Sequence, residues 1–148
     1  MALPLESVLF ALLILVFNVL DSVTTRLCFR QYPDKELKGE ANPIMRWLML
    51  KNQWLSDAVK QVVVIGVVVV LVLARDLFAL RIVSVMLGLV VLNNTTTVVS
   101  RAVIKREVPS PIKRLRLLLH LPDNFSYPLA LAVIFGLSMM IYGLVWGL

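Results

Sequence analysis

The sequence predicts an all-α, polytopic membrane protein with four transmembrane helices, and three observations carry that expectation. Of the 148 residues, 59% are apolar and the mean hydropathy is +0.88. An ordinary soluble domain is about a quarter charged and much less apolar. The apolar residues fall in four runs, each close to the roughly 20 helical residues that cross about 30 Å of hydrocarbon. Most of the 15 Lys and Arg, which outnumber 9 Asp and Glu for a net charge of +6, collect between those runs. This pattern excludes a soluble enzyme, a disordered tail and a free nucleic-acid binder, since the basic residues sit in short loops. Cys28 is the single cysteine, which rules out a disulfide framework or a CxxC metal site.

The first span is expected at residues 7–28. It has no basic segment before Leu9 and no Ala-x-Ala site, and it runs on into Asp21, Thr24 and Thr25. It therefore reads as a retained helix and not a cleaved signal peptide. A short interfacial helix follows at residues 43–52. Asn42 supplies its N-cap, Pro43 its first helical position, and Glu40 a carboxylate near its positive end. Trp47 and Trp54 suit a membrane surface. The second span, residues 54–74, is rich in valine, and Val62-Val63-Val64-Ile65 would read as a buried strand in water. The length of the run, and the need to satisfy every backbone group inside lipid, make it a helix.

Arg75 closes that helix at its negative dipole end and Asp76 caps the next. Spans two and three are accordingly expected as a tight hairpin, adjacent and antiparallel, with the third span at residues 77–100. A second interfacial helix is expected at residues 111–121, with Ser110 as N-cap, Pro111 at the first position and Pro122 as the stop. Lys113, Arg116 and His120 form its basic face, and Ile112, Leu115 and Leu119 the opposite stripe. Lys113, Arg114 and Arg116 are the candidates for contact with anionic lipid headgroups. The fourth span is expected at residues 127–148, and the whole chain reads as a single domain without internal repeats. His120 is the sole histidine, so no histidine metal cluster or triad can be built.

Basic residues set the orientation. Thirteen of the 15 Lys and Arg lie in or beside the loops after spans one and three, against Arg75 and Arg81 on the other side. The positive-inside rule then places both long loops in the cytoplasm and both termini outside a plasma membrane.

Polar groups inside the spans are the functional candidates, because each is costly in hydrocarbon. Asn18, Asp21, Ser22 and Thr25 share one face of span one, and Asp57, Lys60 and Gln61 one face of span two. Span three carries Asn93 and Asn94 followed by Thr95–Thr97. Asp21 lies five residues from Arg26, Lys60 six from Trp54, and Asn93 and Asn94 seven to eight from Arg101, or roughly 8, 9 and 11 Å deep. Groups from three helices at one depth point to one shared polar site beneath the loop that presents Glu40. Bland readings stand beside this one. Lys60 is an i, i+3 neighbour of Asp57, the threonines can bond back to their own helices, and asparagines serve as interhelical glue. Asp21 is the least easily explained in that way, and Lys60, Asn93 or Asn94 is its expected partner. Ala132, Gly136, Gly143 and Gly147 of span four, and Ser84 with Gly88 of span three, are small-residue faces that permit close helix approach within the chain or between copies.

Asn18-x-x-Asp21-x-x-x-Thr25 followed by Glu40-x-Asn42-Pro43 resembles a prokaryotic family of small four-helix integral membrane proteins classed as a domain of unknown function. The likeness is most specific over the first two spans and their loop. It implies the four-helix architecture and nominates Asp21, Thr25, Glu40, Asn42 and Pro43 as site positions. From the residues, the leading expectation is a binding or assembly protein whose polar site takes a small polar ligand, a cation or a partner subunit. Its site set is Asn18, Asp21, Thr25, Glu40, Asn42, Lys60, Asn93 and Asn94, and its partners are the anionic bilayer and a homo-oligomer or larger membrane complex. An oligomeric cation transporter or channel is the alternative, with Asp21 and Glu40 among its hard oxygen ligands. An intramembrane enzyme acting on lipid headgroups is the third reading, without a recognised catalytic motif.

Overall fold

The computed structural model describes residues 4–31, 43–105, 109–122 and 126–147, and every element among them is helical. In chain order these are α1 (Leu5–Gln31), α2 (Pro43–Lys51), α3 (Gln53–Ala74), α4 (Leu77–Ile104), α5 (Pro111–Leu118) and α6 (Ser126–Trp146). Four of them, α1, α3, α4 and α6, are long and apolar enough to cross a membrane. Glu40 and Asn42 lie outside the described residues.

The caps expected at Asp76 and Ser110 are present. Asp76 Oδ1 accepts from the Ala79 amide at 2.9 Å, and Ser110 Oγ from the Lys113 amide at 3.3 Å. Asn52 separates α2 from α3, its side chain accepting from Trp54 N at 2.9 Å. The turn between α3 and α4 is tighter than charge alone implies. Arg75 is left-handed at φ 55°, its N–H bonds Val72 O and the Asp76 N–H bonds Leu71 O, each at 3.1 Å. That is a Schellman closure in which the residue after the left-handed position is already the cap of the next helix. Arg75→Gly should therefore raise thermal stability in detergent by up to about 1 kcal/mol, since glycine reaches this conformation without a Cβ penalty; a lower melting temperature would contradict it.

The same device ends α5 three residues before the expected boundary. His120 is left-handed at φ 55°, and Leu121 N bonds Arg116 O at 3.1 Å. The chain thus leaves the helix before Pro122 forces it to.

Long-range contacts give the layout. Asp21 meets Lys60, Ser22 meets Gln61 and Ile14 packs with Val68, so α3 runs antiparallel to α1. Glu6 meets Arg81, Phe17 meets Gly88 and Asp21 meets Asn94, so α4 runs parallel to α1. Helix α1 packs most extensively along α4, and α3 touches α1 more than it touches its hairpin partner α4. The hairpin is thus tight at its turn, while α1 takes most of the interface that direct pairing would give. Helix α6 lies on α4.

Burial is inverted relative to a water-soluble fold. Among the described residues, six buried hydrophobics are accompanied by twelve buried polar or charged residues, while α3 turns Val62, Val63, Val67, Val69 and Val70 outward. An apolar exterior of this extent needs an apolar solvent. The dry core is small: Ile14, Val68 and Leu80, ringed by Phe10, Val64, Leu71 and Leu87.

Candidate functional site

Asp21 is the hub of the polar region. One carboxylate oxygen is paired with the Lys60 ammonium of α3. The other accepts from Asn94 Nδ2 of α4 at 2.7 Å and, more loosely, from Thr25 Oγ1 one turn along at 3.5 Å. One carboxylate thus ties three helices at a common level. Its side chain keeps 10% exposure and that of Lys60 24%.

Two further links flank this hub. Towards the centre, Asn18, fully buried, donates to Gln61 Oε1 at 2.7 Å, and Gln61 Nε2 donates to Ser22 Oγ at 3.3 Å. Towards the basic end, Asp57 is paired with Arg26, whose guanidinium lies 4.0 Å from the centroid of Trp54, close enough for cation–π attraction. The i, i+3 reading of Asp57 with Lys60 is therefore not realised. Each acid finds its partner across the α1–α3 interface, because the antiparallel register sets Arg26 opposite Asp57 and Asp21 opposite Lys60.

The threonines divide. Thr24, Thr96 and Thr97 bond back to carbonyls of their own helices at 2.9, 2.7 and 2.8 Å, as a packing role requires. Thr25 turns to Asp21 and Asn94. The neighbouring asparagines also part company. Asn94 faces Asp21, whereas Asn93 donates to Asn94 Oδ1 at 3.2 Å and lines a cavity of about 280 Å³ with Thr96 and with Ile112 and Leu115 of α5. Residues adjacent in a helix point about 100° apart, so a single depth does not mean a single face. Three side-chain acceptors, Asn18 Oδ1, Asn93 Oδ1 and, at the end of α1, Gln31 Oε1, are buried without a hydrogen-bond partner among the described residues. No group of three His, Cys, Asp or Glu able to hold a metal occurs among those residues either.

On α5, Lys113 and Arg114 are exposed, but Arg116 is buried at 6%. Its Nη1 donates to Leu121 O at 3.5 Å, so it lies on the packed side of the helix, whereas Lys113 and Arg114 both remain exposed.

Three contacts were not foreseen. Gln31 Nε2 donates to Val98 O of α4 at 3.3 Å. Arg26 pairs with Asp57 as described. At the opposite end Arg81 donates to Glu6 at 2.9 Å. For the two ion pairs the signal is opposite charge at matching distance from the helix ends, readable once α1 is set parallel to α4 and antiparallel to α3; the neutral Gln31 contact carries no such signal.

Residues 12–101 match the family described as a domain of unknown function (DUF5658). No curated protein and no solved structure matches the chain.

Proposed function

The chain belongs to the DUF5658 family, and from that footing we propose that it is a multi-pass plasma-membrane protein of binding and assembly type. In this reading it associates through α6, and α1, α3 and α4 hold a polar site in the cytoplasmic half of the bilayer. The carrying observation is the small-residue lane on α6. Ala132 and Gly136 are exposed, a Cβ added at Gly136 would meet nothing within 4 Å, and α6 buries only 6% of its apolar window inside the chain. Small residues four apart let a second helix approach closely, where packing contacts hold helices together in lipid. The simplest partner is a second copy.

The polar site supports binding more than cation transport. The Asp21 carboxylate is already matched by Lys60 and Asn94, so a cation would have to displace an ammonium. What remains on offer are the acceptors Asn18 Oδ1 and Asn93 Oδ1, which suit a donor from a small polar ligand or a partner helix. Glu40 and Asn42 are proposed to complete the site from the adjoining loop, and Lys113 and Arg114 to meet anionic headgroups.

Native mass spectrometry from mild detergent tests the assembly. The wild type should appear as an oligomer or with a stoichiometric partner, and Gly136→Leu should weaken association at least tenfold, about 1.4 kcal/mol. A monomer at all concentrations would overturn the reading. Orientation has a separate test. A Lys105→Cys variant in a Cys28→Ser background should react with an impermeant maleimide in inside-out vesicles but not in intact cells, and labelling of intact cells would reverse it.

A further inference from the structure

At the end of the fold away from the basic loops, α1, α4 and α6 leave a groove of about 340 Å³. Its walls include Phe10, Leu13, Phe17, Gly88, Leu92 and Trp146. The volume falls within the range of ligand clefts, about 300–1,000 Å³. Gly88 shapes the floor, since a Cβ there would come to 3.3 Å from the Phe17 ring. In a bilayer such a lateral groove does not stay empty, because its lining would forfeit dispersion contacts that an acyl chain supplies.

The mouth of the groove is charged and neutral at once. The Arg81 guanidinium carbon lies 5.2 Å from the Trp146 ring centroid and 5.8 Å from that of Phe10, and both rings are groove walls. Arg81 donates to Glu6, yet its Nε is buried and carries no hydrogen bond among the described residues. Glu6 keeps 59% of its side chain exposed, leaving carboxylate lone pairs for another donor. Phe78, Tyr142 and Trp146 form a ring cluster at the same end, with centroids 4.9 and 5.5 Å apart, which is the aromatic signature of headgroup depth.

We propose that this groove is a binding site for a phospholipid whose headgroup carries both a phosphate and a primary ammonium, a phosphatidylethanolamine. The acyl chain fills the groove, Arg81 donates to the phosphate, and Glu6 accepts from the ammonium. Guanidinium matches phosphate geometry and carboxylate matches an N–H-bearing cation. A phosphatidylglycerol would bring a phosphate against Glu6 without an ammonium to offset it. A phosphatidylcholine would bring a cation with no N–H to donate. The proposal rests on the membrane placement given above but not on the oligomer.

The full chain in detergent, mixed with equimolar phosphatidylethanolamine, phosphatidylcholine and phosphatidylglycerol of identical acyl chains, is read by native mass spectrometry. Phosphatidylethanolamine should be retained about fivefold over each of the others, the scale of one partly exposed ion pair. Glu6→Gln should abolish its preference over phosphatidylcholine. Leu92→Trp, at an exposed position in the groove wall, should lower retention of all three. Equal retention, enrichment of phosphatidylglycerol, or a preference unchanged in Glu6→Gln would overturn the site. Release of the chain from vesicles by alkaline carbonate would instead overturn the membrane placement.

Discussion

Lys60→Met is expected to destabilise the helix assembly by about 3 kcal/mol, because it leaves the Asp21 carboxylate buried without its cation. Breaking one partner of a buried ion pair costs about 3–5 kcal/mol, and the low end applies here because Lys60 retains 24% side-chain exposure. Asn94 and Thr25 remain as hydrogen-bond donors to Asp21 but bring no charge. Asp21→Asn combined with Lys60→Met should recover most of the loss, since a neutral amide keeps an acceptor for Asn94 and no longer demands a cation. Denaturant titration of the single and double variants in detergent, followed by circular dichroism, measures this. A double variant no better than Lys60→Met alone would show that the pair is not the source of the effect.

The second large effect belongs to the apolar core. Ile14 and Leu80 are both fully buried and pack with Val68, so this small cluster is where α1, α3 and α4 meet without polar atoms. Ile14→Ala or Leu80→Ala should each cost about 2–4 kcal/mol, the transfer term plus a cavity the neighbours cannot fully close. Because the two side chains border one cavity, the double variant should lose less than the sum. Strict additivity in the same titration would place them in separate packing units. Val62→Ala or Val70→Ala, on the outward face of α3 at 70% and 63% exposure, should leave the midpoint nearly unchanged and serve as controls.

The elements were legible because hydrocarbon thickness and capping chemistry both act locally. Run length gave the long helices, Asp76 and Ser110 gave the starts of α4 and of the short α5, and Arg75-Asp76 gave the turn. The level of the polar site was legible too, because rise per residue is fixed. Its partnerships were not. Asp57 had Lys60 within its own helix and Arg26 across an interface, and the choice depends on how α1 is packed. Likewise Asn93 and Asn94 share a depth but face different neighbours, and Arg116 is drawn inward where periodicity alone set it beside Lys113. The Glu6–Arg81 pair is hidden in the sequence because the apolar run of span one begins after Glu6, whereas α1 starts at Leu5.

The Asp21 link also sets a timetable. Lys60 follows Asp21 by 39 residues and Asn94 by 73. At a synthesis rate of about 5–20 residues per second, the carboxylate waits roughly 2–8 s for its cation and roughly 4–15 s for its amide. During that interval α1 carries an acid without its cation, a costly group in any apolar surroundings. Arrival of α3, antiparallel and bearing Lys60, then supplies the cation that Asp21 lacks. The site around Asp21 is thus completed only once both later helices have been made.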